Sequence, residues 1–380
     1  MIAKARSTKV STVYISDEKI DGIKAQEWIT NCWQKIDTVI NLTGEPTDHI
    51  FSLCKKYNLD YIDTAFELLE DDDRTLDAEF QRLRLSKCDV KALIGFGMNP
   101  GLIEYIYFQS APNKKHIAIE LEYDTAAYNK TGVFNTWSPA SYFLESIIYK
   151  PYFYKKTDPV NFLSFPAILN EVKLQVDGKE RNFNVTPHEE VVTMGTSNRL
   201  CEYCAFLYQA PVTMQQFMKN RFLDCAKPKI CAKDMENILT PGDGIIGNDI
   251  IGMMTYSGNE YLTYTFNNSS HSECSNKIRD RYNNGVNATS WQVACGVFAA
   301  LEILDLVQAG IYTMSDISKK YSSIVEKVLS GLQFDLERKE FHKDEIKLNS
   351  ILDIFRNSSR CKGRIPSEEV ESHAMNLGEE

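Results

Sequence analysis

The sequence predicts an α/β region followed by an α+β region: a parallel sheet with crossover helices, then a mixed, mostly antiparallel domain. Three observations predict it. Short apolar runs alternate with amphipathic stretches as far as Gly95, the rhythm of strands joined by crossover helices. From His116 that rhythm stops, and aromatic, proline and glycine residues interrupt strand-like alternation. Residues 290–308 then form one long, nearly all-apolar stretch, read as a buried helix.

Taken in order, residues 38–42 (TVINL) read as a buried strand and residues 46–57 as the helix that follows. Residues 59–63 (LDYID) form a second strand, residues 74–86 a second helix, and residues 92–95 a third strand. The acidic run Glu70-Asp71-Asp72-Asp73 is the solvated start of that second helix, where the helix dipole favours negative charge. Residues 117–123 alternate like a half-buried strand, and Met194, Met253 and Met254 read as core. The chain divides into a partial dinucleotide-type domain (1–114), a substrate domain (115–284), C-terminal helices packing back on the core (285–357) and a polar tail (358–380). No internal repeat is present.

The chain has 380 residues, 43% of them hydrophobic, enough for a sizeable core. A formal net charge of −10 argues against a nucleic-acid backbone or an anionic membrane as partner, and suits a small cation. No apolar run reaches the length of a membrane span, and the first residues lack the apolar core of a secretory signal. The 10 cysteines are scattered; Cys201 and Cys204 form a lone CxxC, and Cys225 and Cys231 do not complete a zinc site. A reduced, cytoplasmic protein without metal is the expectation, and a homodimer.

The stretch Lys91-Ala92-Leu93-Ile94-Gly95-Phe96-Gly97-Met98-Asn99-Pro100-Gly101 has the outline of a nucleotide-binding turn. A dinucleotide fingerprint, however, needs G-x-G-x-x-G after the first strand. Here the glycines stand at 95, 97 and 101, one residue too wide, and Pro100 donates no N–H. The segment Gly242-Asp243-Gly244-Ile245-Ile246-Gly247 has the spacing but follows Thr240-Pro241 rather than a strand.

The residues of that loop carry a resemblance. Gly97-Met98-Asn99-Pro100-Gly101-Leu102 resembles the G-A-N-P-G-[LMV] loop of homospermidine synthases, which belong with the saccharopine-dehydrogenase-like oxidoreductases. In the same order, Tyr61-Ile62-Asp63-Thr64-Ala65-Phe66-Glu67 resembles the family's Y-V-D-T-x-x-E, and Leu121-Glu122-Tyr123-Asp124-Thr125 its A-E-x-D-T. Val133-Phe134-Asn135-Thr136-Trp137-Ser138 is similar to V-F-x-N-T-W-S, and Asn287-Ala288-Thr289-Ser290-Trp291-Gln292-Val293 to N-A-T-S-L-Q-V. The likeness spans residues 35–310.

The resemblance implies an incomplete Rossmann-like dinucleotide domain and an NAD-dependent aminobutyl transfer that turns two putrescine molecules into homospermidine and ammonia through an imine. It places the Asn99 loop at the substrate and nicotinamide end rather than around phosphates, with Asn99, Pro100 and Thr64 as cofactor contacts. A diamine needs carboxylates for its ammonium ends, and by resemblance these are Glu67, Glu122, Glu145 and Asp249. Trp137 would face an ammonium or iminium, Asn99 would orient the amine, and His188 would shuttle protons. Each has a plainer reading: Trp137 as core beside Phe134 and Tyr142, Glu145 on a solvated helix face, His188 in a surface loop with Glu189 or Glu190 holding its ring. Residues 188–192 are not the HExxH of a zinc enzyme, because Val192 stands in the second histidine position.

The pattern also departs from the family. Residues 1–33 carry no G-x-G-x-x-G unit, Glu67 is followed by Leu68-Leu69 where the family has Pro-Trp, and the family's Y-x-H-P-C-D corresponds to Tyr208-Gln209-Ala210-Pro211 without its histidine. The segment between Glu145 and His188 is shorter than the family leads one to expect. Three expectations follow: a fragment or mis-started product, a unit supplied by a partner chain, or a relative that binds diamines without turning them over. A saccharopine-type reductase is the enzymatic rival, disfavoured by so carboxylate-rich a pocket.

Overall fold

The computed structural model describes residues 22–43, 47–65, 88–130, 132–223, 235, 237–282 and 285–356. The expected helix at 74–86, the acidic run 70–73, Glu67, Cys225, Cys231, residues 1–21 and the tail 358–380 lie outside these. The chain folds into two compact units. Unit 1 takes residues up to Tyr105 and then Val293–Gln333; unit 2 takes Ile106–Gln292 and the residues from Phe334. The chain passes between them within the helices Leu102–Ser110 and Ala288–Leu304. Residues 285–357, expected from sequence to be one C-terminal segment, are shared between the two units.

Unit 1 is α/β. Strands β1 (Thr38–Asn41), β2 (Asp60–Asp63) and β3 (Lys91–Leu93) pair side by side in parallel, and Gly310–Tyr312 adds a fourth parallel strand beside β3. Parallel sheets are covered on both faces, in keeping with the apolar pairs Val39-Ile40, Tyr61-Ile62 and Ala92-Leu93 within these strands. After helix α1 (Gly22–Cys32), helix α2 (Thr47–Tyr57) supplies part of the cover: Ile50, Phe51, Leu53 and Cys54 join Val39, Tyr61 and Ala92 in one core, while Ser52 stays exposed. Its lysines fall in the last turn and Asp48 in the first, each at the favourable end of the dipole. The helix stops at Asn58, whose left-handed φ of 56° lets the Leu59 N–H reach back 2.9 Å to the Cys54 carbonyl. One residue later β2 begins, so the sequence boundary and its cause coincide.

Unit 2 is built on a nine-stranded mixed sheet. Strand β4 (His116–Asp124) lies between Cys201–Gln209, which runs parallel to it, and Asn248–Tyr256, which runs antiparallel. Every other pairing in this sheet is antiparallel, including Asn248–Tyr256 with Tyr261–Ser270 and the hairpin Glu171–Val176/Lys179–Thr186. That hairpin turns at Asp177-Gly178, whose φ values of 52° and 70° are those a tight two-residue turn demands. One face of the sheet packs Ile119, Leu121, Tyr123, Ala205, Leu207, Ile250, Met254 and Phe266 into the main core.

The opposite face corrects an expectation. The alternation at 117–123 reads as one buried and one solvated face, yet both faces of β4 are buried, Glu120, Glu122 and Asp124 included. Residues 133–148 and the start of the helix Glu190–Ser197 shield the polar side, as their contacts with it below make clear. A period of two reveals which residues share a face; it does not reveal whether that face meets water. Met194, Met253 and Met254 are buried, as read.

Candidate active site

The polar face of β4 carries Glu120, Glu122 and Asp124 at alternate positions. Strand register then fixes their neighbours: Phe206 beside Glu120 and Tyr208 beside Glu122 on one side, Ile251 beside Glu122 and Asp249 beside Asp124 on the other. Four carboxyls therefore share one buried surface floored by aromatic rings. Burying charge without partners is costly, so such a face favours either retained protons or a cationic ligand.

The cover over this floor begins with Asn135-Thr136-Trp137. Ser138 caps the next short helix, Pro139–Phe143, by accepting from the Ser141 N–H, and Pro139 fits its first turn. The chain then widens into a π-turn at Leu144–Ile148, which carries Glu145. Trp137 donates its indole N–H to the Tyr208 hydroxyl at 2.8 Å. Tyr142 meets both rings edge-on, at 6.1 Å from Trp137 and 5.8 Å from Tyr208. Three aromatic rings thus meet beside a row of carboxyls, the chemistry of a cation cage. Burial, followed by Glu122, Asp124 and Asp249, holds the Tyr208 hydroxyl protonated well above the ordinary tyrosine range.

His188 packs edge-on against Phe206 at 4.8 Å, and its Nδ1 lies 2.7 Å from Glu190 Oε1. Of the two glutamates that sequence offered to hold the ring, Glu190, fully buried, makes this contact. Nε2 points toward Glu145 at 3.9 Å. Burial opposes the imidazolium, but Glu190, then Glu145 and Glu189, outweigh it and raise His188 well above its usual range. The carboxylate cluster thus favours the protonated form of His188. Glu120 lies close to Glu190; burial first, then that neighbour, raises it far above the carboxylate range, and neither of its oxygens receives a hydrogen bond. His188, Glu189 and Glu190 are also the one trio of candidate metal donors drawn close among the described residues, but His188 Nδ1 is already engaged with Glu190.

At the other end of β4, Asp124 receives the Ala126 N–H at 2.6 Å, the Thr136 hydroxyl at 2.6 Å and His271 Nε2 at 3.1 Å. His271 Nδ1 accepts from the Ala288 N–H, which fixes the proton of the neutral ring on Nε2, facing Asp124. Asp249 stands opposite and takes one hydrogen bond on Oδ2 from Thr289, at 2.6 Å. Its Oδ1, buried, takes none. Burial and the Asp124 carboxylate push Asp249 up to about 7, against His271 and Thr289.

Unit 2 therefore brings together Trp137, Glu122, Glu145, His188 and Asp249 from the sequence expectation. Glu67 is outside the described residues, and Thr64, Asn99 and Pro100 belong to unit 1. Sequence reasoning missed Glu120, Asp124, Tyr208, His271 and Thr289 as site residues. The signal for the first two was present as an acidic residue at every second place in β4.

The glycine loop of unit 1 has a different use. The Gly95 N–H donates to Asp63 Oδ1 and the Phe96 N–H to the Asp63 carbonyl; Gly97 bonds to Pro100, Leu102 to Gly97, and Ile103 to Met98. Asp63 is itself buried and also accepts from Thr47 and Tyr61, so the Tyr61-to-Thr64 motif ties β2 to this loop. A side chain at Gly97 would stand 2.7 Å from the Thr64 carbonyl, and one at Gly101, where φ is 127°, would overlap the Gly97 backbone. These two glycines make room for the chain itself. With these N–H groups engaged, the loop does not fit a pyrophosphate.

No family model matches the sequence, and no curated protein matches it. Solved structures do match. Homospermidine synthase from Legionella pneumophila, a complex with NAD, superposes with a TM-score of 0.67 at 16% identity over 84% of this chain and 79% of its own. Apo saccharopine dehydrogenase (L-Glu forming) from Saccharomyces cerevisiae gives 0.54 at 10% identity, over 86% and 89%. At these identities the likeness is one of fold: a Rossmann-like α/β unit with a second, mixed domain. No described helix is long and apolar enough to cross a membrane.

Proposed function

We propose that unit 2 binds a primary diamine, putrescine, and that the chain is a homospermidine synthase-like protein acting by aminobutyl transfer from one putrescine to another. The observation that carries this reading is the Trp137–Tyr142–Tyr208 aromatic cluster set beside the buried carboxyls Glu122, Asp124 and Asp249. An ammonium end gains from both: charge pairing with a carboxylate, and ring faces worth about 2 kcal/mol for a desolvated cation. Glu145 and the His188–Glu190 pair offer a second anionic end, with His188 as a proton donor rather than a free base. A saccharopine-type substrate carries carboxylates of its own, which this face would repel.

NAD is the cofactor the reading calls for, and the neighbour from Legionella is a complex with it. Thr64, Asn99 and Pro100 are assigned to it, and Asn99 and Glu67 to the diamine, by sequence resemblance alone. The glycine loop of unit 1 has its N–H groups engaged within the chain and offers no pyrophosphate cradle, so the diamine site is argued from unit 2 alone. That same observation favours a second reading, a diamine-binding relative without turnover. Incubating the purified chain with putrescine and NAD, and seeking homospermidine by mass spectrometry, separates the two. Product supports the synthase; tight putrescine binding without product supports the binding protein; no binding at all removes both.

A further inference from the structure

Two carboxyls face each other where β4 meets Asn248–Tyr256, and they are treated unequally by their surroundings. Residues paired directly across antiparallel strands bring their side chains together on one face, so Asp124 and Asp249 crowd the same buried spot. Asp124 is surrounded by donors on both oxygens, the setting of a carboxylate. Asp249 has one donor, and its Oδ1 is buried with nothing to accept from. Two adjacent buried carboxyls do not both stay ionised without a cation between them. The aromatic floor beside them, Tyr208 with Trp137 hydrogen-bonded to it, suits an organic ammonium better than a strongly hydrated metal ion.

We infer that Asp124 and Asp249 form a proton-exchange subsite for a primary ammonium: empty, the pair keeps a proton on Asp249 Oδ1, and the ammonium enters in its place. The exchange is acid–base only. The O–H bond of Asp249 breaks, its proton leaves to solvent, and the ammonium N–H groups donate to the carboxylate so formed. Charge in the pocket is the same before and after, so occupation does not leave a buried pair of bare carboxylates. The inference rests on the ammonium-binding reading above and adds what that reading leaves open, namely what neutralises the site when no ligand is there.

The titratable groups acting on Asp249 come from every side of it: Asp124 on β4, Tyr208 on Cys201–Gln209, Tyr264 on Tyr261–Ser270, and His271 and Cys274 on the helix His271–Tyr282. Burial holds both tyrosines and Cys274 protonated above their ordinary values. Burial opposes a charge on His271 while Asp124 favours one and raises it, but a second proton on the ring would break the bond from the Ala288 N–H to Nδ1. Asp249 and His271 are thus the two members of this group whose titration falls near neutrality, and the Ala288 bond to the ring favours Asp249 as the proton's seat, an assignment the Asp249→Asn variant decides. A primary alkylamine stays charged over the same range.

The test is calorimetry with putrescine and, separately, butylamine, each in two buffers of different ionisation enthalpy, so that released protons are counted. With Asp249 pushed up to about 7, about 0.9 proton should leave per bound ammonium at pH 6 and about 0.1 at pH 8. Apparent affinity should fall about tenfold for each unit below pH 6. Asp249→Asn should bind with no such release. Thr289→Val, which removes the one hydrogen bond favouring the ionised form, should move the half-release point upward, and it keeps the question answerable if the asparagine variant fails to fold. Both amines binding with no proton release overturns the exchange and leaves the diamine reading standing. Release with butylamine but no binding of putrescine overturns the diamine reading and supports the exchange. If neither binds, both fall.

Discussion

Two regions of this molecule break an apolar strand pattern, and they use their polar groups in opposite ways. In the loop after β3, the N–H groups of Gly95, Phe96, Gly97, Leu102 and Ile103 all donate to protein acceptors a few residues away or to Asp63. Along β4 and its neighbour, both oxygens of Glu120 and one of Asp249 are buried and receive no hydrogen bond. The glycine loop has a functional appearance in one dimension and is structural in three. The acidic strand reads as a solvent face in one dimension and holds the unsatisfied chemistry in three. Where buried polar groups are satisfied, the fold explains them; where they are not, a retained proton, a ligand or water does.

The comparison breaks most visibly at Gly101. If the loop is packed for its own sake, Gly101→Ala should cost about 3 kcal/mol through the left-handed φ and overlap with Gly97. Urea unfolding measures this, and a variant of unchanged stability would make the loop a ligand-binding element again. Next in size, Trp137→Ala should weaken putrescine binding about 30-fold, the equivalent of about 2 kcal/mol, with the far-UV spectrum unchanged. Tyr208→Phe keeps the ring and loses only the acceptor of the indole N–H, so it should cost a few-fold. Unaltered affinity in the Trp137 variant would mean the aromatic cluster is core and not cage.

Glu190→Gln sharpens the contrast further. Glu190 is the largest influence raising His188 against burial, so the variant should lower the His188 titration midpoint, as read by proton NMR of its ring. The sign for stability follows: a folded value above the unfolded one adds stability that is fully present below about pH 6.5 and fades as pH rises through the higher folded value. The variant should therefore lose most, relative to the parent, in mildly acid solution, and the two should converge in alkali. Smallest of all, Lys347→Ala removes an exposed partner of Glu180 at 2.8 Å and should leave the melting temperature unchanged within error, because water already satisfies both groups.

Much of the fold was legible in the sequence, for reasons tied to particular residues. Val39, Ile62 and Ala92 mark strands because a covered parallel sheet needs apolar residues at the centre of each strand, whereas the left-handed turn at Asn58 that ends α2 came only with the fold. The carboxylates Glu122, Glu145 and Asp249 were reachable through motif resemblance. Asp124 stood in a matched motif without a role and Glu120 in none, because alternation along β4 describes a solvated face equally well until something is seen to cover it. The roles of His271 and Thr289, the second quoted in a motif but given no task, were hidden for another reason: each acts on β4 or its neighbour from a distant segment, and only the folded register brings them there.

The pairing of β3 with Gly310–Tyr312 bears on how the protein is made. Roughly 200 residues, including nearly all the unit 2 strands, leave the ribosome between the two partners. At bacterial or eukaryotic elongation rates that is on the order of 10–40 s during which β3 is an open sheet edge. The nine-stranded sheet, except for its Leu336–His342 edge, can form in that interval, so the second region of the chain matures before the first is closed. Nascent chains arrested shortly before residue 310 should accordingly bind holdase chaperones through an exposed β3, and those arrested after the helix Met314–Gly331 has emerged should release them.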